Sequence, residues 1–241
     1  MGTRRRCYIL VAFEGPDWYG WRGGLAERAV ALATHLADRG AETHYYFFGD
    51  PELPGEERLG NVPLVLHRWA QWLCAGLPGG AYDGEDAKSS ELARTLPDRL
   101  LTEIILPALA LEVTPVVLAE EWQTVPCLLA LAERLDALGL RDRVQVLWRI
   151  GSLVGTDRID WGPLGRVAQI TVTTAGLQAA LSERGIEAMV LSSQPASLTA
   201  LLEDHPVAGR RPDRDGPGVS APIDRPYLRS PQPRRTQTAD R

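Results

Sequence analysis

Short continuous apolar runs, separated by stretches of helical period, constrain this chain more than any other feature. "CYILVAF" (7–13) has the pattern of a strand covered on both faces. In the segment that follows, Leu25, Ala29, Leu32 and Leu36 share one helical stripe, widened by Ala26, Val30, Ala33 and Ala37. Gly40 ends that helix, and "ETHYYFFG" (42–49) and "VPLVLH" (62–67) read as the second and third strands. Strand, helix and strand in this order make a βαβ unit.

Between residues 68 and 112 the pattern is less regular. "RWAQWL" predicts a short helix, "PGGAYDGEDAKSS" a loop, and "ELARTLPDRLLTEIILPALALE" a helix broken near Pro97 and Pro107. Alternation then resumes, with strands at 115–121, 143–150, 168–174 and 187–193. Helices are expected from Thr124 and Pro126 to Gly139, and over 175–185. The sum is an α/β fold: a doubly wound, mostly parallel Rossmann-like sheet with helices on both faces.

Composition narrows the class. A content of 44% hydrophobic and 24% charged residues over 241 positions suits a globular chain with one sizeable core. The net charge of −5 gives no reason to expect nucleic acid or an anionic membrane as partner. No run approaches the ~20 apolar residues of a span, so stable membrane insertion is not expected. "MGTRRRCYILVAFEG" carries too short an apolar run for a signal peptide and reads as a first strand. Cys7, Cys74 and Cys127 are odd in number and lack C-x-x-C spacing, and His35 and His67 show no metal-ligand spacing. Neither a disulfide nor a metal site is therefore expected, and a cytoplasmic location is.

At about residue 206 the composition changes. Residues 207–241 hold six Pro, three Gly and 8 Arg against 4 Asp, with few large apolar side chains. Such a segment buries too little surface to offset the entropy of ordering, so a disordered tail is expected after a 1–206 domain. Its "DRD" (213–215) imitates a metal motif only in passing.

Ligands of open parallel sheets bind at the carboxyl ends of the strands. Three segments should meet there: the 14–24 loop, "EEWQT" (120–124) and "RIGSLVG" (149–155). Gly23 and Gly24 either let a ligand approach the helix N-terminus or simply make a tight turn. A helix terminus contributes only about 0.3–1 kcal/mol to an anion, whereas a millimolar complex needs about 4 kcal/mol. The loop can assist a phosphate but cannot hold a nucleotide alone. Glu120 and Glu121 alternate along a strand end, so at most one should face the cleft. The chain has no G-x-G-x-x-G and no P-loop motif, and "GSLVG" is not a nucleophile elbow.

Taken together, three stretches resemble GT-B glycosyltransferases of the glycogen-synthase-like, retaining kind. They are "FEGPDWYGWRGGLAERAVALATHLADRGAETHYYFFGD", "VVLAEEWQT" and "TDRIDWGPLGRVAQITVTTAGLQAALSERGIEAMVL". Such enzymes move a sugar from a nucleotide-diphosphate donor to an acceptor, in a cleft between two Rossmann-like domains. The resemblance implies that this chain is the acceptor-side half. Gly23, Gly24 and Leu25 would then lie at the donor-phosphate side of the cleft, and Asp17, Trp18, Glu121, Gln123 and Thr124 at the acceptor side. No catalytic residue is assigned. No cofactor is implied beyond a nucleotide-diphosphate sugar as co-substrate, supplied with a second domain. The partners implied are a carbohydrate or other small acceptor and the missing donor-binding domain. Two departures stand out: "RIGS" and "SSQP" replace the family's Asn-rich and "PNG" segments, and the 35-residue tail has no counterpart of the donor half. Alone, the half is expected to be inactive and to leave an aromatic patch around Trp18, Trp21 and Trp122. The alternatives are a non-catalytic glycan- or protein-binding module and, lower, an NAD-type oxidoreductase domain.

One lysine and one asparagine in 241 residues suggest GC-rich DNA, which read out of frame yields the Arg, Pro, Gly and Ala of the tail. Resequencing the locus should then uncover, in another frame, a further α/β domain beyond residue 206. The absence of such a pattern from all three frames would favour the binding module.

Overall fold

Side chains along β1 (Arg6–Val11) alternate between two separate cores, Cys7, Ile9 and Val11 on one side and Tyr8 and Leu10 on the other. This is what the continuous apolar run requires of a strand covered on both faces. The computed structural model describes residues 5–192 and 194–204. Within them β2 (Glu42–Phe47), β3 (Glu56–Arg58), β4 (Leu64–Arg68), β5 (Thr114–Glu120), β6 (Gln145–Ile150), β7 (Gln169–Val172) and β8 (Met189–Val190) complete one sheet. Its order is β3-β4-β2-β1-β5-β6-β7-β8. All pairings are parallel except β3 with β4, so the short, charged β3 is an antiparallel edge that the apolar-run pattern does not signal. β1 has β2 on one side and β5 on the other. The direction of winding reverses between β1 and β5, and that is the topological switch point.

The helices are α1 (Gly24–Asp38), α2 (Gln71–Ala75), α3 (Glu85–Leu100), α4 (Leu106–Ala110), α5 (Val125–Ala137), α6 (Trp161–Val167), α7 (Ala175–Ser182) and α8 (Ala196–Asp204). The stripe of α1, with Leu198 and Leu202 of α8, covers one face of the sheet. α3, α5, α6 and α7 cover the other through Leu96, Leu100, Leu128, Leu131, Leu164 and Leu181. The fold is thus Rossmann-like, with helices on both faces.

The breaks expected near Pro97 and Pro107 do not occur. Pro97 lies inside α3, a π-helical turn (Leu101–Ile105) follows, and Pro107 stands in the first turn of α4. Leu92, Leu96, Leu100 and Ile104 recur every fourth residue and are buried, and their packing outweighs the lost N–H bonds. α6 and α8 lie in stretches that the sequence left without elements. The 207–241 tail, its disorder and its "DRD" triplet lie outside the described residues. Among the described residues no helix is long and apolar enough to cross a membrane.

Candidate functional site

The carboxyl ends of β1, β5 and β6 converge beside the N-terminus of α1, and charged side chains fill the gap. Glu120, the last residue of β5, is 2% exposed. Its Oε2 accepts from Arg28 Nε at 3.0 Å and Nη2 at 2.8 Å, and its Oε1 accepts from Arg149 Nη2. Burial alone would raise the Glu120 pKa, but the guanidiniums of Arg149 and Arg28 outweigh it and hold the group below the usual carboxylate range. A carboxylate this deep needs both partners, since removing one leaves an uncompensated buried charge.

Glu121 breaks the strand alternation. Its φ of 66° and ψ of 164° turn the chain, and its Oε1 accepts from Gly151 N at 2.9 Å and from Arg28 Nη2 at 3.3 Å. Both glutamates therefore meet Arg28, contrary to the expectation that only one would face the cleft. The reason is the positive φ, a strained conformation for a non-glycine residue and a recurrent feature of functional turns. Burial raises the Glu121 pKa to about 7; Gly151 N–H and Arg28 oppose the rise, and the neighbouring Glu120 charge adds to it. The site thus holds one carboxylate kept below the usual range beside one raised to about 7, a pairing suited to proton exchange with a bound hydroxyl.

The mouth of α1 is open and yet electrostatically occupied. A Cβ placed on Gly23 or Gly24 would meet nothing within 4 Å, so free space lies above the glycines. The cap residue, Gly23, has no side chain with which to serve the helix end. Instead Glu14, just beyond β1, reaches in: its Oε2 accepts from Ala26 N at 3.0 Å and Arg22 N at 3.2 Å, and its Oε1 accepts from Tyr82 Oη at 2.8 Å. The negative charge favoured at a helix N-terminus is supplied by the chain itself. Leu25 packs into the α1 core.

The three rings of the 14–24 loop separate. Tyr19 is fully buried, donates to Leu77 O at 2.6 Å and accepts from Lys88 Nζ at 2.7 Å. Lys88, the only lysine, also donates to the carbonyls of Gly80 and Ala81 and so ties the loop to α3. Trp21 packs half-buried against the α1 core. Trp18 is 49% exposed, its indole N–H donating to Asp50. Trp122 is buried beneath the Arg158 guanidinium, which lies 3.7 Å from its ring centroid. The expected patch of Trp18, Trp21 and Trp122 is therefore not formed.

The remaining sequence candidates are engaged internally. Asp17 Oδ1 accepts from Gly20 N, and its Oδ2 accepts from Asp50 N and Arg68 Nε at 2.9 Å. Thr124 Oγ1 donates to Glu121 O at 2.8 Å. Gln123 Nε2 donates to Glu85 Oε1 at 2.6 Å, while its own Oε1 is buried without a partner. Gly23, Gly24, Trp18 and Glu121 remain as groups with open or titratable chemistry. Sequence reasoning passed over Glu14, Arg28 and Arg149. Arg149 did carry a signal, because an arginine inside an otherwise apolar strand requires a buried partner.

No protein-family model matches the chain, and neither does any curated protein. Among solved structures it is similar to the catalytic domain of Starch Synthase IV from Arabidopsis thaliana bound to ADP and acarbose. The TM-score is 0.41 at 14% identity, over 62% of this chain and 34% of that one. The chain thus spans about a third of the length of the structure it matches.

A carboxyl group with a folded pKa of about 7, against an ordinary value of 4.5, makes the unfolded state release its proton first. Its stabilising effect is complete below pH 4.5 and is lost as the pH rises through 7. The wild-type chain should lose about 3 kcal/mol of unfolding free energy between pH 4.5 and 8 through this group. In Glu121→Gln that loss should disappear, as urea denaturation at the two pH values would show.

Proposed function

We propose that the crevice at the β1–β5 switch point receives a neutral polyhydroxylated ligand, and that the chain acts as the acceptor-side half of a GT-B-like glycosyltransferase. The observation that carries this reading is the occupied yet open helix mouth. Glu14 already satisfies Ala26 N–H, so an added phosphate would stand beside a carboxylate, whereas a sugar hydroxyl can donate to it. Glu121, titrating near neutrality, offers a second hydroxyl partner, and the half-exposed Trp18 indole offers a face on which a pyranose ring can stack. Under this reading Gly23 and Gly24 give the ligand clearance, and Asp17, Gln123 and Thr124 hold the loops in place rather than touch it.

Sugar transfer would require a donor-binding domain to bring the nucleotide-diphosphate sugar to the open side of the glycines. The residues of this half would position the acceptor hydroxyl, and Glu121 could accept its proton. The non-catalytic glycan-binding module draws on the same observation, because a mouth filled by Glu14 needs no phosphate. The two readings differ only in whether a donor domain joins.

Calorimetric titration of the full chain with neutral oligosaccharides, nucleotide-diphosphate sugars and NAD separates these readings. Oligosaccharide binding is expected, weakened at least tenfold in Trp18→Ala and in Gly24→Val, whose side chain would project into the free space. Turnover of a nucleotide sugar by this chain alone would contradict the acceptor-half reading, and binding of NAD without any sugar would overturn both.

A further inference from the structure

Far from the crevice, at the amino ends of β1 and β2, a second group of chemically competent side chains comes together. Cys7 of β1 lies opposite Glu42 of β2 in the parallel register, and His44 is two residues further on the same face. One donor atom from each, the Cys7 thiol, a Glu42 carboxylate oxygen and a His44 ring nitrogen, lies within 4.8 Å of the other two. His44 Nε2 is 3.3 Å from Glu42 Oε1, and its other ring nitrogen, Nδ1, is 3.0 Å from His67 Nε2. His67 is held flat against Tyr46, with ring centroids 4.1 Å apart and planes 4° apart, and its Nδ1 faces Glu56 Oε2 at 3.9 Å.

We propose that Cys7, Glu42 and His44 form a site for a borderline-soft divalent transition metal of the Zn²⁺ class, with His67 as the residue that orients His44. Sulfur, imidazole nitrogen and carboxylate oxygen are the donors that Zn²⁺ takes, and three protein ligands leave a fourth position open. Tetrahedral ligands stand roughly 3.5 Å apart, so donors within 4.8 Å of one another must close by up to about 1.3 Å. The Glu42 side chain is 63% exposed and can swing, whereas Cys7 and His44 are buried and held by the sheet. Glu42 also lines a cavity of about 650 Å³ at the amino ends of the strands, together with Arg5, Arg6, Arg39 and Arg58.

The contact with His67 supports the site independently. An imidazole that ligates through Nε2 must carry its proton on Nδ1 and donate it, and His67 Nε2 stands where it would accept. As the metal takes Nε2, the proton that Nε2 shares with Glu42 Oε1 leaves to solvent, His44 Nδ1 takes the proton of His67 Nε2, and His67 Nδ1 takes one from solvent, so both imidazoles stay neutral. The Cys7 thiol would lose its proton to solvent as the sulfur–metal bond forms. Of the nearby cations, Arg58 lies within 3.5 Å of Glu56 Oε1. The cysteine and histidine spacing in the sequence gave no sign of such a site, because its ligands come from two strands 35 residues apart.

The test uses the full, reduced chain titrated with Co²⁺ and then Zn²⁺, read by absorption spectroscopy. One Co²⁺ per chain should bind with a sulfur-to-cobalt charge-transfer band, and Zn²⁺ should displace it. Cys7→Ser should abolish the band, and Glu42→Ala, at an exposed position, should weaken binding at least tenfold while keeping it. His67→Asn should weaken binding by about 10–100-fold through loss of the orienting contact. Should Cys7→Ser not fold, the Glu42 and His67 variants decide. No saturable Co²⁺ binding, a band that survives in Cys7→Ser, or an affinity unchanged in both other variants would overturn the site.

Discussion

A single carboxylate, Glu120, sits almost out of reach of water between the guanidiniums of Arg28 and Arg149. These three groups belong to β5, α1 and β6, so the ion cluster bridges the point where the winding of the sheet reverses. Burying the carboxylate is costly, and only two simultaneous partners keep it ionised there. The requirement fixes the position of α1 against the strand ends, and with it the place of the glycine mouth. Directly after Glu120 the chain turns at a positive φ that brings the second carboxyl to the same Arg28.

Two glutamates on either side of this cluster then acquire different roles from their surroundings. Glu14 has backbone N–H groups and a tyrosine hydroxyl for partners and serves as the cap that Gly23 cannot provide. Glu121 has fewer compensating partners relative to its burial, so its pKa rises toward neutrality. The proposed preference for a neutral polyol follows from this division, since the helix dipole is already matched by Glu14 and the remaining open chemistry is that of hydroxyl recognition. Lys88 contributes from behind, holding Tyr19 and the Gly80 and Ala81 carbonyls, while Trp18 is the most exposed of the loop rings.

Much of the scaffold was legible because burial on two faces forces apolar runs and burial on one forces a helical stripe. β1, β2, β5, β6 and α1 follow directly from these patterns, as does the convergence of the three loops. What was not legible depends on backbone turns and on partners distant in sequence. Alternation predicted opposite directions for Glu120 and Glu121, and only the φ of 66° reverses that. The fate of Trp122 depends on Arg158 lying over its ring, and that of the α1 mouth on Glu14 reaching back across the loop. The Cys7, Glu42 and His44 cluster is a product of strand register, which no local spacing reveals.

Ligand recognition is proposed to occur at the β1–β5 switch point. The most direct measurement is backbone amide chemical-shift mapping of the isotope-labelled chain during titration with a neutral oligosaccharide. Saturable shifts are expected, confined to residues 14–26, 120–124 and 149–155, with Gly24, Ala26 and Gly151 among them. Shifts confined to the groove between α6 and α7, a concavity of about 1,040 Å³, or to the cavity at the amino ends of the strands, would contradict it.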